Sequence, residues 1–157
     1  MTSRLDVCAR LAALLILAGG CAEDAATLNV TTVLNYNQCQ GLEPGLTSVD
    51  YAAVAGIRGG TLLGMTQPDD TDPDDDLLLV AISRGQQPTP GYGFTLEEAR
   101  REGGTAVVSV RWKTPEPGAV LAQMMTHPCL VIGLEPEGLT RVEVVDQTGV
   151  SLGTLDL

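Results

Sequence analysis

Aromatic residues are nearly missing from this chain of 157 residues, which has one Trp, one Phe and three Tyr. A platform that stacks nucleobases needs several exposed rings, so single-stranded nucleic acid is a poor fit. Basic charge is scarce as well: 9 Lys and Arg face 20 Asp and Glu, for a net charge of −11. Displacing counterions from a phosphate backbone takes a basic face, so no nucleic-acid partner is expected. There is one histidine, His127, and no Cys-x-x-Cys pair. A zinc site therefore lacks its ligand set, and no metal and no other cofactor is expected. No Gly-rich phosphate cradle opens a helix, and no serine stands in a nucleophile elbow facing an oriented histidine. These gaps lead to the expectation of no enzymatic activity. What the chain does have is aliphatic bulk: 44% of it is hydrophobic, which argues for a folded core rather than disorder.

The apolar run nearest the N-terminus, Leu11 to Ala18, is too short to cross a bilayer, which takes about 20 residues as a helix. Arg4 and Arg10 flank it on the N-terminal side, so it reads as a secretory signal rather than a span. Small residues and a cysteine follow. Leu17-Ala18-Gly19-Gly20-Cys21 resembles the bacterial lipobox, in which the cysteine is acylated and becomes the first residue. The resemblance implies a lipoprotein signal peptide over 1–20, lipidation at Cys21 and a tether over 21–26. Several acyl chains give a stable membrane anchor, each buried CH2 contributing about 0.8 kcal/mol. Ala22 stands where an Asp would signal inner-membrane retention, so the resemblance points to the outer membrane, with the domain facing the periplasm. The competing reading is a plain signal peptide with Cys21 incidental.

Cys8 leaves with the signal and Cys21 takes the lipid. Cys39 and Cys129 remain, an even pair in an oxidising compartment, and are expected to form a disulfide. The chain-entropy account values such a bridge at about 4–5 kcal/mol. The alternative is a buried free thiol plus a reactive one. His127 two residues before Cys129 would suit a Cys–His nucleophile, but Pro128 between them favours an extended turn.

Along the rest of the chain, Thr27 to Leu34 is β-branched and alternating, and reads as a strand. Residues 35–50 are rich in Asn, Gln, Gly and Pro and read as loop. Tyr51 to Met65, broken by glycines, is expected to form one or two short strands. Asp69, Asp70, Asp72, Asp74, Asp75 and Asp76 with two prolines make a solvated acidic loop. Its alternating Asp residues resemble the start of a calcium loop, without the glycine and terminal glutamate such a loop needs. Leu77 to Ile82 is a continuous apolar run suited to a buried strand. Thr95 with Glu98 fits a helix capping box, and Glu97 could pair with Arg101 along one turn; alternatively Thr95 to Arg101 prolongs the strand that Tyr92, Phe94 and Leu96 begin. Thr105 to Lys113, Cys129 to Leu134, Arg141 to Val145 and a last strand ending at Leu157 complete the set. The fold expected over 27–157 is one all-β, β-dominated domain, an antiparallel sheet or sandwich-like in form.

Between two of these strands lies Gly85-Gln86-Gln87-Pro88-Thr89-Pro90-Gly91-Tyr92, and further on Pro115-Glu116-Pro117-Gly118 and Thr126-His127-Pro128-Cys129-Leu130-Val131-Ile132. In that order, over about 76–134, they resemble the PrcB-type C-terminal domain: a strand, Gly-x-x-Pro-Thr-Gly-Gly-Tyr, a strand, and a Thr-x-Pro before another apolar strand. Pro90 stands in place of the first glycine of the Gly-Gly pair. The resemblance implies a lipoprotein subunit associated with an envelope protease complex, and it carries no catalytic residue. The expected function is thus that of a lipid-anchored, non-catalytic protein-binding or accessory subunit. Gly85, Pro88, Thr89, Gly91 and Tyr92 are the candidate binding loop, stiffened by its prolines; the same residues could equally serve as a turn between strands. The loop is also similar to the Pro-Thr-Thr-Gly-Tyr wedge of chagasin-type cysteine-protease inhibitors, whose companion Arg-Pro-Trp loop is missing here.

Overall fold

The computed structural model describes residues 26–57 and 77–157. The lipidation candidate Cys21, the signal segment 1–20 and the acidic stretch Asp69–Asp76 lie outside the described residues. Two sheets face each other, so the expectation of a single sheet is corrected. One sheet has the order β1-β5-β6-β8-β9: Ala26–Thr27, Gly93–Glu102, Thr105–Lys113, Arg141–Val145 and Ser151–Asp156. The other has the order β2-β7-β4-β3: Val30–Tyr36, Cys129–Leu134, Leu78–Ser83 and Gly45–Val49.

The sequence dictates a second layer for a simple reason. β4 is apolar from Leu78 to Ile82 and β7 throughout, whereas an alternating strand hides only one face. Even-numbered residues of these strands, Val80, Ile82, Leu130, Ile132 and Leu134, point into the space between the sheets. There they meet Phe94, Ala106, Val108, Val110, Val142 and Val144 of the first sheet. Odd-numbered residues Leu79, Ala81, Cys129 and Val131 face the opposite way and need their own cover. A seven-residue helix, α1 (Tyr51–Ile57), supplies it with Val54 and Ile57, together with Leu34 and Cys39. The molecule is therefore a two-sheet sandwich with a helix and loop laid over its smaller sheet.

Two bulges tune which residues look inward. In β5 the register shifts between Leu96 and Glu98, opposite Val110 and Ser109. The extra residue, Glu97, changes the parity, so Ala99 rather than Glu98 enters the core. In β2 the shift lies between Thr32 and Leu34, which turns Leu34 towards the helix layer and Asn35 towards the first sheet, where its amide donates to the Phe94 carbonyl at 3.0 Å.

Several expectations need correction. The helix α1 replaces the strand expected from Tyr51: Asp50 caps it, its Oδ1 accepting from Ala53 N–H at 2.6 Å, and short alanines fill its turns. β3 emerges from the segment read as loop, pairing Leu46 to Val49 with β4 once the chain has passed Pro44. The sheets are not wholly antiparallel. The chain leaves β6, crosses to the other sheet as β7 and returns, so β8 lies parallel to β6, with Ala106 opposite Val142. Thr95 to Arg101 is strand, not helix. Its Glu97 meets Arg111 of the neighbouring strand instead of Arg101, while Arg101 donates to the Glu137 carbonyl.

The expected disulfide is present. Cys39 and Cys129 are bonded with their Cα atoms 6.0 Å apart, both buried, and they tie the loop after β2 to the start of β7. With the Cys129 sulfur bonded to Cys39, His127 has no thiol beside it to activate.

Candidate functional site

The strand directions gather four loops at one end of the sandwich: 37–44 after β2, 84–92 between β4 and β5, 114–128 between β6 and β7, and 146–150 between β8 and β9. At the other end are the two-residue turn Gly103-Gly104, the 135–140 connection, and β1, which pairs Ala26 with Arg101.

The 84–92 loop is a fixed structure. Gly85 has φ 71°, a region that other residues enter only with strain, and a Cβ there would lie 2.8 Å from Pro44 Cγ. Its N–H donates to Ser83 Oγ at 3.0 Å. Gln87 and Thr126 exchange both backbone hydrogen bonds, at 2.7 and 2.9 Å. Thr126 Oγ1, buried, donates to the Thr89 carbonyl at 3.0 Å. Pro90 is followed by Gly91 at φ 99°. A proline before a glycine of positive φ is the residue order of a tight turn, which is why this loop accommodates Pro90 where the family pattern has glycine.

The same stitching continues across to the disulfide. His127 donates from its backbone to the Asn37 carbonyl at 2.9 Å and accepts from Cys39 N–H at 2.8 Å. Its position is explained by this backbone ladder: it joins loop 37–44 to loop 114–128. Thus three loops are linked in a row through main-chain hydrogen bonds that end at the Cys39–Cys129 bridge.

Tyr92 neither stands free nor sinks into the core. Half-buried, it stacks on Trp112 at 5.7 Å between ring centroids and 28° between planes. Phe94 meets the indole at 4.7 Å between centroids with its ring tilted by 56°, and the Arg84 guanidinium sits over it at 5.1 Å. Gln147 fastens the fourth loop to this cluster, accepting from Trp112 N–H at 2.9 Å and donating to its carbonyl at 3.4 Å. Beside it, Asp146 Oδ1 accepts from the Thr148 hydroxyl at 2.6 Å, from Thr148 N–H at 2.8 Å and from Val150 N–H at 3.1 Å. Chiefly the Thr148 hydroxyl, then these N–H groups, hold the Asp146 carboxyl below its ordinary value of 3.8, with Arg84 adding a smaller pull.

Residues that the sequence did not single out complete this end. Met124 and Met125 are 52% and 61% exposed, and Val120 is fully so. Met125 is nevertheless positioned: Gln38 donates to its carbonyl at 3.3 Å, and the Gln86 amide lies against its sulfur. One signal in the sequence could have pointed here. No Asp, Glu, Lys or Arg occurs from Pro117 to Leu134 or from Gly85 to Leu96, in a chain so acidic overall. Candidate loop residues Gly85, Pro88, Thr89, Gly91 and Tyr92 are therefore brought together with Trp112, Thr126 and Met125.

Comparison with curated proteins and with solved structures finds no match for this chain. A family model does match, and it covers the strands β4 to β7 with the two loops that Gln87 and Thr126 join. The resemblance read from the loop motifs holds: residues 78–135 match the family described as PrcB C-terminal.

Proposed function

We propose that this protein is a lipid-anchored subunit of the bacterial envelope, held to the outer membrane through Cys21, that binds another protein and catalyses no reaction. The partner class is an envelope protease, which the PrcB-type domain accompanies as an accessory subunit. The observation that carries the reading is the end of the sandwich described above. Its loops are fastened to one another at Gln87, Thr126, His127 and the Cys39–Cys129 bridge, and the stretch just before Thr126 presents Val120, Met124 and Met125 to solvent.

Exposed apolar side chains beside a fastened loop frame gain from burial on contact, which favours protein binding. The absence of charge from Pro117 to Met125, around the exposed side chains, agrees with the composition of interface centres.

The test has two parts. Cells fed a clickable palmitate analogue should label the protein, and Cys21→Ser should abolish the label. Cross-linking in intact cells, followed by purification in mild detergent, should recover a second protein at constant ratio with retained protease activity. An unlabelled, freely released chain that is always recovered alone would refute the proposal.

A further inference from the structure

Resting on that reading, we infer that the anchor and the docking surface occupy opposite ends of the molecule. Loops 84–92 and 114–128 then face away from the membrane and receive an uncharged, apolar surface of a protein in the aqueous compartment. The placement follows from strand direction. β5 starts at Gly93 beside the loop cluster and ends at Glu102, and β1 joins it at the far end through Ala26 opposite Arg101. Only residues 22–25 separate Ala26 from Cys21. At no more than about 3.5 Å per residue, that link reaches less than roughly 20 Å. Ten residues of β5 span roughly 30 Å at the usual rise of about 3.3 Å each, so the loop cluster lies beyond the reach of the anchor itself.

Lying flat is disfavoured by charge. The flank strands offer no basic face, because Glu97, Glu98, Glu102 and Asp156 are each paired with an arginine, and the chain as a whole carries a net charge of −11, so an anionic headgroup surface does not attract it. The loop cluster differs: among the described residues its basic side chains are Arg84 and Lys113, set against Glu43, Glu116 and Asp146, and Pro117 to Met125 offers no charge at all. Lipid binding at this end would call for an excess of basic residues around the apolar ones, whereas Arg84 is engaged over Trp112 and Lys113 is outnumbered by Glu43, Glu116 and Asp146. Met124 and Met125 suit a protein surface instead, because unbranched thioethers adapt to the contour they meet.

Trp112, the one tryptophan, lies within the cluster and reports on it. The purified lipidated protein is bound to vesicles of phosphatidylcholine brominated on its acyl chains. The expected result is flotation with the vesicles and Trp112 emission unquenched. Flotation with strong quenching would overturn the placement, and failure to float would refute the anchor proposed above. For the docking surface, Met124→Glu with Met125→Glu should weaken recovery of the cross-linked protein by about tenfold or more, the loss expected at a binding hot spot. Glu137→Lys at the opposite end should leave it unchanged. A partner that is recovered yet insensitive to the methionine changes sinks this inference and leaves the proposed function standing. Light scattering that shows a dimer of this chain, abolished by the same changes, would identify a second copy as the occupant and also overturn it.

Discussion

Breaking the Cys39–Cys129 bond should cost this protein both stability and the order of its loop end. The bond closes a loop of 90 residues. On the chain-entropy account, a closure of that length removes about 4.6 kcal/mol of freedom from the unfolded chain. At roughly 4 °C per kcal/mol for a domain of this size, the reduced protein should melt about 15–20 °C lower. Reduction is the cleaner perturbation, because both sulfurs stay in the packing between α1 and β7; Cys39→Ala with Cys129→Ala is the genetic counterpart and should lose slightly more. Urea titrations of the oxidised and reduced protein measure the difference directly. Hydrogen exchange adds the local consequence. Amides of Cys39 and His127, which donate to the His127 and Asn37 carbonyls along the seam beside the bridge, should lose protection first, followed by Gln87 and Thr126 one loop further on. A stability difference under about 1 kcal/mol would refute the entropic reasoning. Unchanged exchange at His127 and Thr126 would refute the claim that the bridge organises the loops.

Other substitutions probe separate parts of the structure. Gly85→Ala should destabilise by about 1–3 kcal/mol, combining left-handed strain with the collision against Pro44, and should shift a urea midpoint without changing its slope. Ile132→Ala, at a fully buried position of β7, should cost about 2–5 kcal/mol in the same titration. Asp146 adds a pH dependence of defined sign. Its folded pKa is lowered, so its contribution is present above the ordinary value of 3.8 and is lost as pH falls through the folded value. Melting curves across the acid range should therefore show a fall in that window that Asp146→Asn reduces; an identical acid profile for the variant would contradict the assignment.

Much of the fold was legible because the strands that matter most speak plainly. β6, β7 and β8 follow the bounds that alternation and apolar runs mark out. The second sheet was implicit in Leu77 to Ile82 and Cys129 to Leu134, since strands apolar on both faces require cover on both faces. What stayed hidden depends on contacts distant in sequence. Nothing local to Arg141–Val145 says that it lies parallel to β6, and the bulge at Glu97 is fixed by what Ala99 must fill. At Tyr51 a helix formed where glycines suggested strands, because the Asp50 cap and buried Val54 and Ile57 outweigh Gly56. Within the candidate site, Gly85 to Tyr92 was visible as turn chemistry, while Trp112, Met124 and Met125 became part of it only through loops meeting in space.

The stretch from β4 to β7 contributes two adjoining strands to each sheet, yet it leaves both pairs unfinished. β7 still lacks β2, β4 lacks β3, and β6 lacks β8. Those neighbours come from opposite ends of the polypeptide, one group made early in translation and the other last. A chain that has entered its folding compartment only as far as Leu134 has β1, β2 and β3 in hand but not β8 and β9, so the raw backbone edge of β6 invites misassembly. Maturation waits on the final seventeen or so residues, and a holding chaperone would have its greatest use in that interval.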